Sequence, residues 1–314
     1  MPGPILRTVT RTQGNNAAIK DGSVNPAEFT FDIEEVPVLV HAFRRMVRSL
    51  EFDVCEMALT TYLCAREHGV KFTALPVFLV RAFHHGAILQ NVKAGIRTPK
   101  DLEGRRVGVN RGYTVTTGVW ARGILQEEYG VDLSKITWVL SGDEHVADYT
   151  PPANVLAIAP GEKIEDLLVA GELAAAIGVS VDHEDIQPLI ENPMDAGFAA
   201  LKRSGHYPIN HLIVIKDEIL DAHPGVAAAV FNAFAESKRR YLERLRAQAI
   251  PDPSAIDEFY TKVMDIQDDP LPYGLAPNRQ TLETLVAHAA TQGILKNPVE
   301  LSSLFAPDTL DLTA

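Results

Sequence analysis

The feature that most restricts this chain is an alternation between two hydrophobic periods. Val36, Leu39, Val40, Phe43, Met46, Val47 and Leu50 recur at helical spacing, which puts one apolar stripe on an amphipathic helix. Short apolar runs at 5–9, 29–33, 52–54, 72–89, 105–109, 136–140, 173–179 and 212–215 read as strands. Helical patterns at 58–68, 115–129, 164–170 and 224–246 lie among them. Parallel strands need crossover connections, usually helices, so this order predicts an α/β fold with mostly parallel sheets. The block 90–205 carries its own strand–helix–strand set. We therefore expect two lobes, one of residues 1–89 plus 206–314 and one of 90–205, with a ligand cleft between them.

The chain has 314 residues, enough for a sizeable core, and a net charge of −12. That charge argues against nucleic acid or an anionic membrane as a partner. No apolar run is long enough to span a bilayer, and the first residues, MPGPILRTVTRTQGNN, lack the apolar stretch of a secretory signal. The sequence therefore reads as a soluble cytoplasmic protein. Cys55 and Cys64 form neither a disulfide framework nor a metal-ligand spacing.

Polar groups interrupt the apolar runs at four places. In PVFLVRAFHHGAI (76–88) an apolar strand carries Arg81, His84 and His85. Arg81 and His85 share a face, whereas adjacent His84 and His85 point oppositely, which disfavours a two-histidine metal site. A guanidinium matches a carboxylate with two parallel hydrogen bonds; alternatively Arg81 pairs with an internal acid such as Glu56. Glu56 follows a strand and precedes a helix, where an acid is also simply favoured by the helix dipole. Thr60 and Thr61 either donate to a bound anion or cap that helix. In the loop 110–114 and the helix start beyond it, Arg111, Tyr113, Thr116 and Thr117 offer contacts for a carboxylate or phenol, or are ordinary loop and cap residues. His211 opens a strand on the return to the first lobe. The acidic run 182–185 cannot wrap one ion from consecutive positions. There is no phosphate loop, nucleophile elbow, zinc-protease motif or dinucleotide fingerprint.

FDVCEMALTTYL (52–63), PVFLVRAFHHGAI (76–88), TPKDLEGRRVGV (98–109), YTVTTGVWARGILQEEYGV (113–131) and YPINHLIVIKDE (207–218) resemble the 4,5-dihydroxyphthalate decarboxylase family. Arg81, Phe83 and His85 match the family pattern R-x-F-R-H-S, while His84 stands for its arginine and Gly86 for its serine. The resemblance implies a two-lobed fold like that of type II periplasmic solute-binding proteins, and decarboxylation of a hydroxylated aromatic diacid. On that reading Arg81 and Arg111 clamp a carboxylate from opposite lobes, and His84, Tyr113, Thr116, Thr117 and Thr60 contact the substrate. His85 transfers the proton, oriented by Glu56, and His211 meets the phenol. No cofactor motif is present, so a cofactor-free reaction is expected, with a divalent ion left open. The partner is a small aromatic carboxylate, and self-association is left open. The competing reading is a solute-binding protein or cytoplasmic sensor that binds such a ligand without chemistry.

Overall fold

The computed structural model describes residues 3–314. Two mixed sheets organise it. The first has the order β2-β1-β3-β11-β4, from β1 (Ile5–Val9), β2 (Thr30–Ile33), β3 (Val54–Ala58), β4 (Phe72–Arg81) and β11 (Ile209–Lys216). The second has the order β10-β5-β9-β6-β7-β8, from β5 (Ile88–Asn91), β6 (Arg106–Val109), β7 (Thr137–Leu140), β8 (Val155–Ala157), β9 (Ala175–Ile177) and β10 (Ile186–Pro188). The α/β class follows from the sequence, but the sheets are less parallel than the alternation predicts. β11 runs antiparallel to β3 and β4, and β5 runs antiparallel to β9 and β10. These are the first strands laid down after each passage between sheets.

The predicted strand over 72–89 is in fact two strands. β4 ends at Arg81, the chain turns through 82–84 and a 3-10 turn at His85–Ala87, and β5 then joins the other sheet. At the break Arg81 and His85 bond to partners off the first sheet, and His84 bonds to Asn210 of β11, as described below. The strand expected at 52–54 runs from Val54 to Ala58 instead, and all five residues are buried. Burial on both faces erases the alternation that marks a strand in sequence, and it places Glu56 inside β3 rather than after it.

The main apolar core takes in Val54, Phe78 and Val214 of the first sheet and Val107 and Trp138 of the second. A smaller cluster around Ile164, Leu168 and Leu173 packs on the second sheet. The helix Thr116–Tyr129 bridges the two, since Trp120 Nε1 donates to the Ile209 carbonyl at 2.9 Å. Among the described residues no helix is long and apolar enough to cross a membrane.

Candidate functional site

In open α/β sheets ligands gather beyond the carboxyl ends of the parallel strands. Here both sheets present such ends to one cavity of about 300 Å³, at the lower end of the range for small-molecule sites. Arg11, Ala58 and Thr61 reach it from the ends of β1 and β3, and Asn210 and His211 from the start of β11. Arg111, Val115, Thr116 and Thr117 follow β6, and His145 follows β7. Leu39, Val40 and Phe43, from the amphipathic helix Leu39–Ser49, supply an apolar wall.

A carboxylate–imidazole pair is built into this cavity. Glu56 is fully buried, and its Oε1 lies 2.7 Å from His211 Nδ1. Its Oε2 accepts from the backbone N–H of Arg11 at 2.9 Å. One buried carboxylate thus orients the imidazole and tethers the residue that brings a guanidinium to the cavity. The bond to Nδ1 leaves Nε2 as the nitrogen free for proton transfer. The edge of the Phe43 ring completes the packing, with its centroid 5.2 Å from that of His211.

A second histidine sits in a different environment. His145 is 3% exposed, and burial is the main reason its pKa falls to about 4, helped by Arg44, Arg111 and Arg48. Its Nδ1 lies 3.4 Å from Thr61 Oγ1, while Nε2 has no protein partner. His145 is therefore a neutral imidazole at neutral pH, with one nitrogen available. Paired groups in unlike environments are the usual way a site separates proton donor from hydrogen-bond partner.

The loop after β6 is braced from behind. Glu144 accepts from Tyr113 N, from Thr114 N at 3.2 Å and from Thr114 Oγ1 at 2.6 Å. Arg122 Nη2 donates to the Tyr113 carbonyl at 2.6 Å, and its guanidinium lies 3.8 Å from the Tyr113 ring centroid. Arg111 adopts a left-handed φ of 69°, an uncommon conformation for a residue with a Cβ. The brace holds that conformation and presents an exposed guanidinium at the start of the helix Thr116–Tyr129, whose free N–H groups favour anions.

The structure brings Glu56, His211, Arg111, Thr116 and Thr117 to one place and sets the other expected residues apart from the cavity wall. Arg81 is buried, and its guanidinium donates to the Tyr207 carbonyl at 2.8 Å and to Asn278 Oδ1. Among the described residues no carboxylate pairs with it, Glu56 included, and burial lowers its pKa to about 10. His85 is fully buried and meets Glu128 at 3.1 Å, so Glu56 orients His211 rather than His85. His84 reaches the cavity only indirectly. Its Nε2 bonds Asn210 Oδ1 at 2.9 Å, and burial pushes its pKa down to about 4. An amide oxygen only accepts, so His84 donates there and leaves the Asn210 amino group for a ligand. Thr60 is consumed by a link between the sheets: its Oγ1 donates to the Thr114 carbonyl at 2.6 Å, and its N–H donates to Thr116 Oγ1 at 3.1 Å. Tyr113 is buried beneath Arg122.

Sequence reasoning missed Arg11, His145 and Asn210. Arg11 follows β1 as Arg111 follows β6, so the rule that selects Arg111 would have selected it too. His145 lies in an irregular segment with no periodic signal. Among the described residues no group of three or more His, Cys, Asp or Glu side chains could hold a metal ion.

No family model matches the chain. It is, however, 30% identical over 305 residues to the 4,5-dihydroxyphthalate decarboxylase of Comamonas testosteroni, covering 92% of this chain and 90% of that protein. The chain belongs to the 4,5-dihydroxyphthalate decarboxylase family. Solved structures agree on the fold. The desulfurization enzyme DSZB aligns with a TM-score of 0.58 at 14% identity, over 98% of both chains. The Candida albicans CA3427 gene product, of the generic periplasmic binding protein fold, aligns with a TM-score of 0.56 at 13% identity, over 99% of this chain and 98% of that one. The decarboxylase family is thus carried here on a periplasmic-binding-protein fold.

Proposed function

We propose that this chain catalyses non-oxidative loss of CO₂ from a hydroxylated aromatic dicarboxylate of the 4,5-dihydroxyphthalate type. The observation that carries the reading is His211, held from behind by Glu56, on the wall of a cavity that Arg11 and Arg111 also line. Two guanidinium groups suit a dianion, and Phe43, Leu39 and Val115 suit its ring.

Arg111 and the N–H groups at the start of the helix Thr116–Tyr129 hold the carboxylate that stays. Arg11 orients the one that leaves. His211, supported by Glu56, delivers its Nε2 proton to the ring carbon bearing the departing carboxylate. His145 Nε2 accepts a hydrogen bond from the hydroxyl para to that carbon, whose oxygen donates electron density to the ring while it is dearomatised. The carbon–carboxylate bond then breaks, its electron pair restores the ring, and CO₂ leaves. His211 is reprotonated from solvent. The para hydroxyl donates the electron density that protonation demands and the protonated ring takes up the electron pair of the breaking bond, so we propose the reaction without a cofactor.

Binding without turnover is the second reading, favoured by the likeness of the fold to a periplasmic-binding-protein architecture. Mass spectrometry of the pure protein incubated with a panel of hydroxylated aromatic diacids separates the two. Loss of the mass of CO₂ from one diacid is expected. A diacid bound and recovered unchanged throughout would overturn the enzymatic reading.

A further inference from the structure

A second cavity of about 570 Å³ lies on the first-sheet side of the cleft and shares Arg11 with it. Its walls are the loop after β1, the end of β4, and the helices Val226–Arg246 and Ala255–Met264. Three features make it a ligand site rather than a packing gap. The first is charge. Arg11 and Arg244 line the cavity against a single carboxylate, Asp257. That carboxylate is already engaged, taking the Tyr241 hydroxyl on Oδ1 and Ser254 N and Oγ on Oδ2 at 2.8 and 2.6 Å. The second is an aromatic wall, with the rings of Tyr241 and Tyr260 edge to face at 6.4 Å. The third is an unsatisfied acceptor. Asn15 is 2% exposed, and its Nδ2 donates to the Leu79 carbonyl at 2.9 Å. That bond fixes the amide and leaves Oδ1 buried without a partner. A buried acceptor without a donor is unfavourable, and a ligand hydroxyl would satisfy it.

We infer that this cavity binds a hydroxylated aromatic monocarboxylate. Its carboxylate lies between Arg11 and Arg244, its ring lies against Tyr241 and Tyr260, and its hydroxyl donates to Asn15 Oδ1. The inference concerns a different cavity from the proposed reaction and rests on that reading only for the choice of ligand. Removing one CO₂ from 4,5-dihydroxyphthalate leaves 3,4-dihydroxybenzoate, which has this chemistry. Because Arg11 serves both cavities, a monoacid held here draws its guanidinium from the cleft. The two ligands therefore oppose each other through one shared side chain, which is product inhibition from a second site.

Isothermal titration of 3,4-dihydroxybenzoate into the full chain tests this, alone and in the presence of 4,5-dihydroxyphthalate. Arg244→Ala removes a cation, and Ile256→Trp fills the cavity from a half-exposed position. Each is expected to weaken the monoacid by about tenfold or more while changing diacid affinity by less than about twofold. If Arg111→Ala abolishes monoacid binding and both of these variants leave it intact, the monoacid occupies the cleft and the inference is overturned. Absence of any monoacid binding overturns it as well. Binding that depends on Arg244 in a protein that decarboxylates nothing would sustain this inference while removing the reaction proposed for the cleft.

Discussion

Glu56→Gln is the substitution on which the mechanism turns. The carboxylate is fully buried and makes short contacts to His211 Nδ1 at 2.7 Å and to Arg11 N at 2.9 Å, with Gln13 Nε2 at 3.5 Å from both oxygens. Glutamine keeps the volume and one acceptor, but it removes the charge that supports His211 while that ring carries a proton. A hydrogen bond to a charged group is worth about 1.5–3 kcal/mol. At 1.36 kcal/mol per factor of ten, kcat should fall about 10- to 150-fold. KM should move much less, because the carboxylate touches no part of the substrate and the Arg11 N–H keeps an oxygen to bond. Glu56→Asp restores the charge at a longer reach and should recover part of the rate. The assay is initial-rate CO₂ release from the diacid across substrate concentrations, with the thermal midpoint measured alongside to confirm the fold. If Glu56→Gln holds kcat within about twofold of the parent, Glu56 is only a packing partner of His211 and the assigned proton donor is wrong.

Arg111→Ala should weaken diacid binding by about 1–3 kcal/mol with little change in thermal midpoint, since the side chain is exposed; unchanged affinity in a calorimetric titration would remove Arg111 from the clamp. Arg81→Lys should do the reverse, lowering stability by about 2–3 kcal/mol while sparing ligand affinity, because the guanidinium satisfies Tyr207 and Asn278 inside the fold; weakened binding in a stable variant would refute that. Acid should destabilise the protein through His84, His145, His206 and His288, which burial holds near a pKa of about 4. An unfolded histidine titrates near about 6.5, so between the two values the unfolded chain binds more protons and stability rises with pH. The thermal midpoint should therefore drop as the pH falls through that window, and a flat midpoint would contradict the burial of these rings.

The fold was legible because each amphipathic helix and each apolar strand carries its own period. The two antiparallel strands were not, since direction within a sheet depends on how the chain passes between sheets and leaves no mark on the strand itself. Arg111, Thr116 and Thr117 were legible because a loop between a strand and a helix marks a sheet's carboxyl edge. Glu56 and His211 were each visible as candidates, but their pairing was not: 155 positions separate them, and only the register of β11 against β3 joins them. Arg81 and His85 misled for a physical reason. A cation in an apolar strand must find a partner, and sequence does not say whether that partner is a ligand, a carbonyl or an acid on another helix. His84 lies between these cases, since it acts on the cavity only through Asn210.

The most direct measurement is turnover of 4,5-dihydroxyphthalate in D₂O, followed by proton NMR of the aromatic product. Proton delivery by His211 predicts 3,4-dihydroxybenzoate with deuterium at the ring carbon that lost its carboxylate, released together with CO₂, and nearly abolished formation of both in His211→Gln. Recovery of the intact diacid from a protein that binds it, or the same labelled product formed at the parent rate by His211→Gln, would contradict the account.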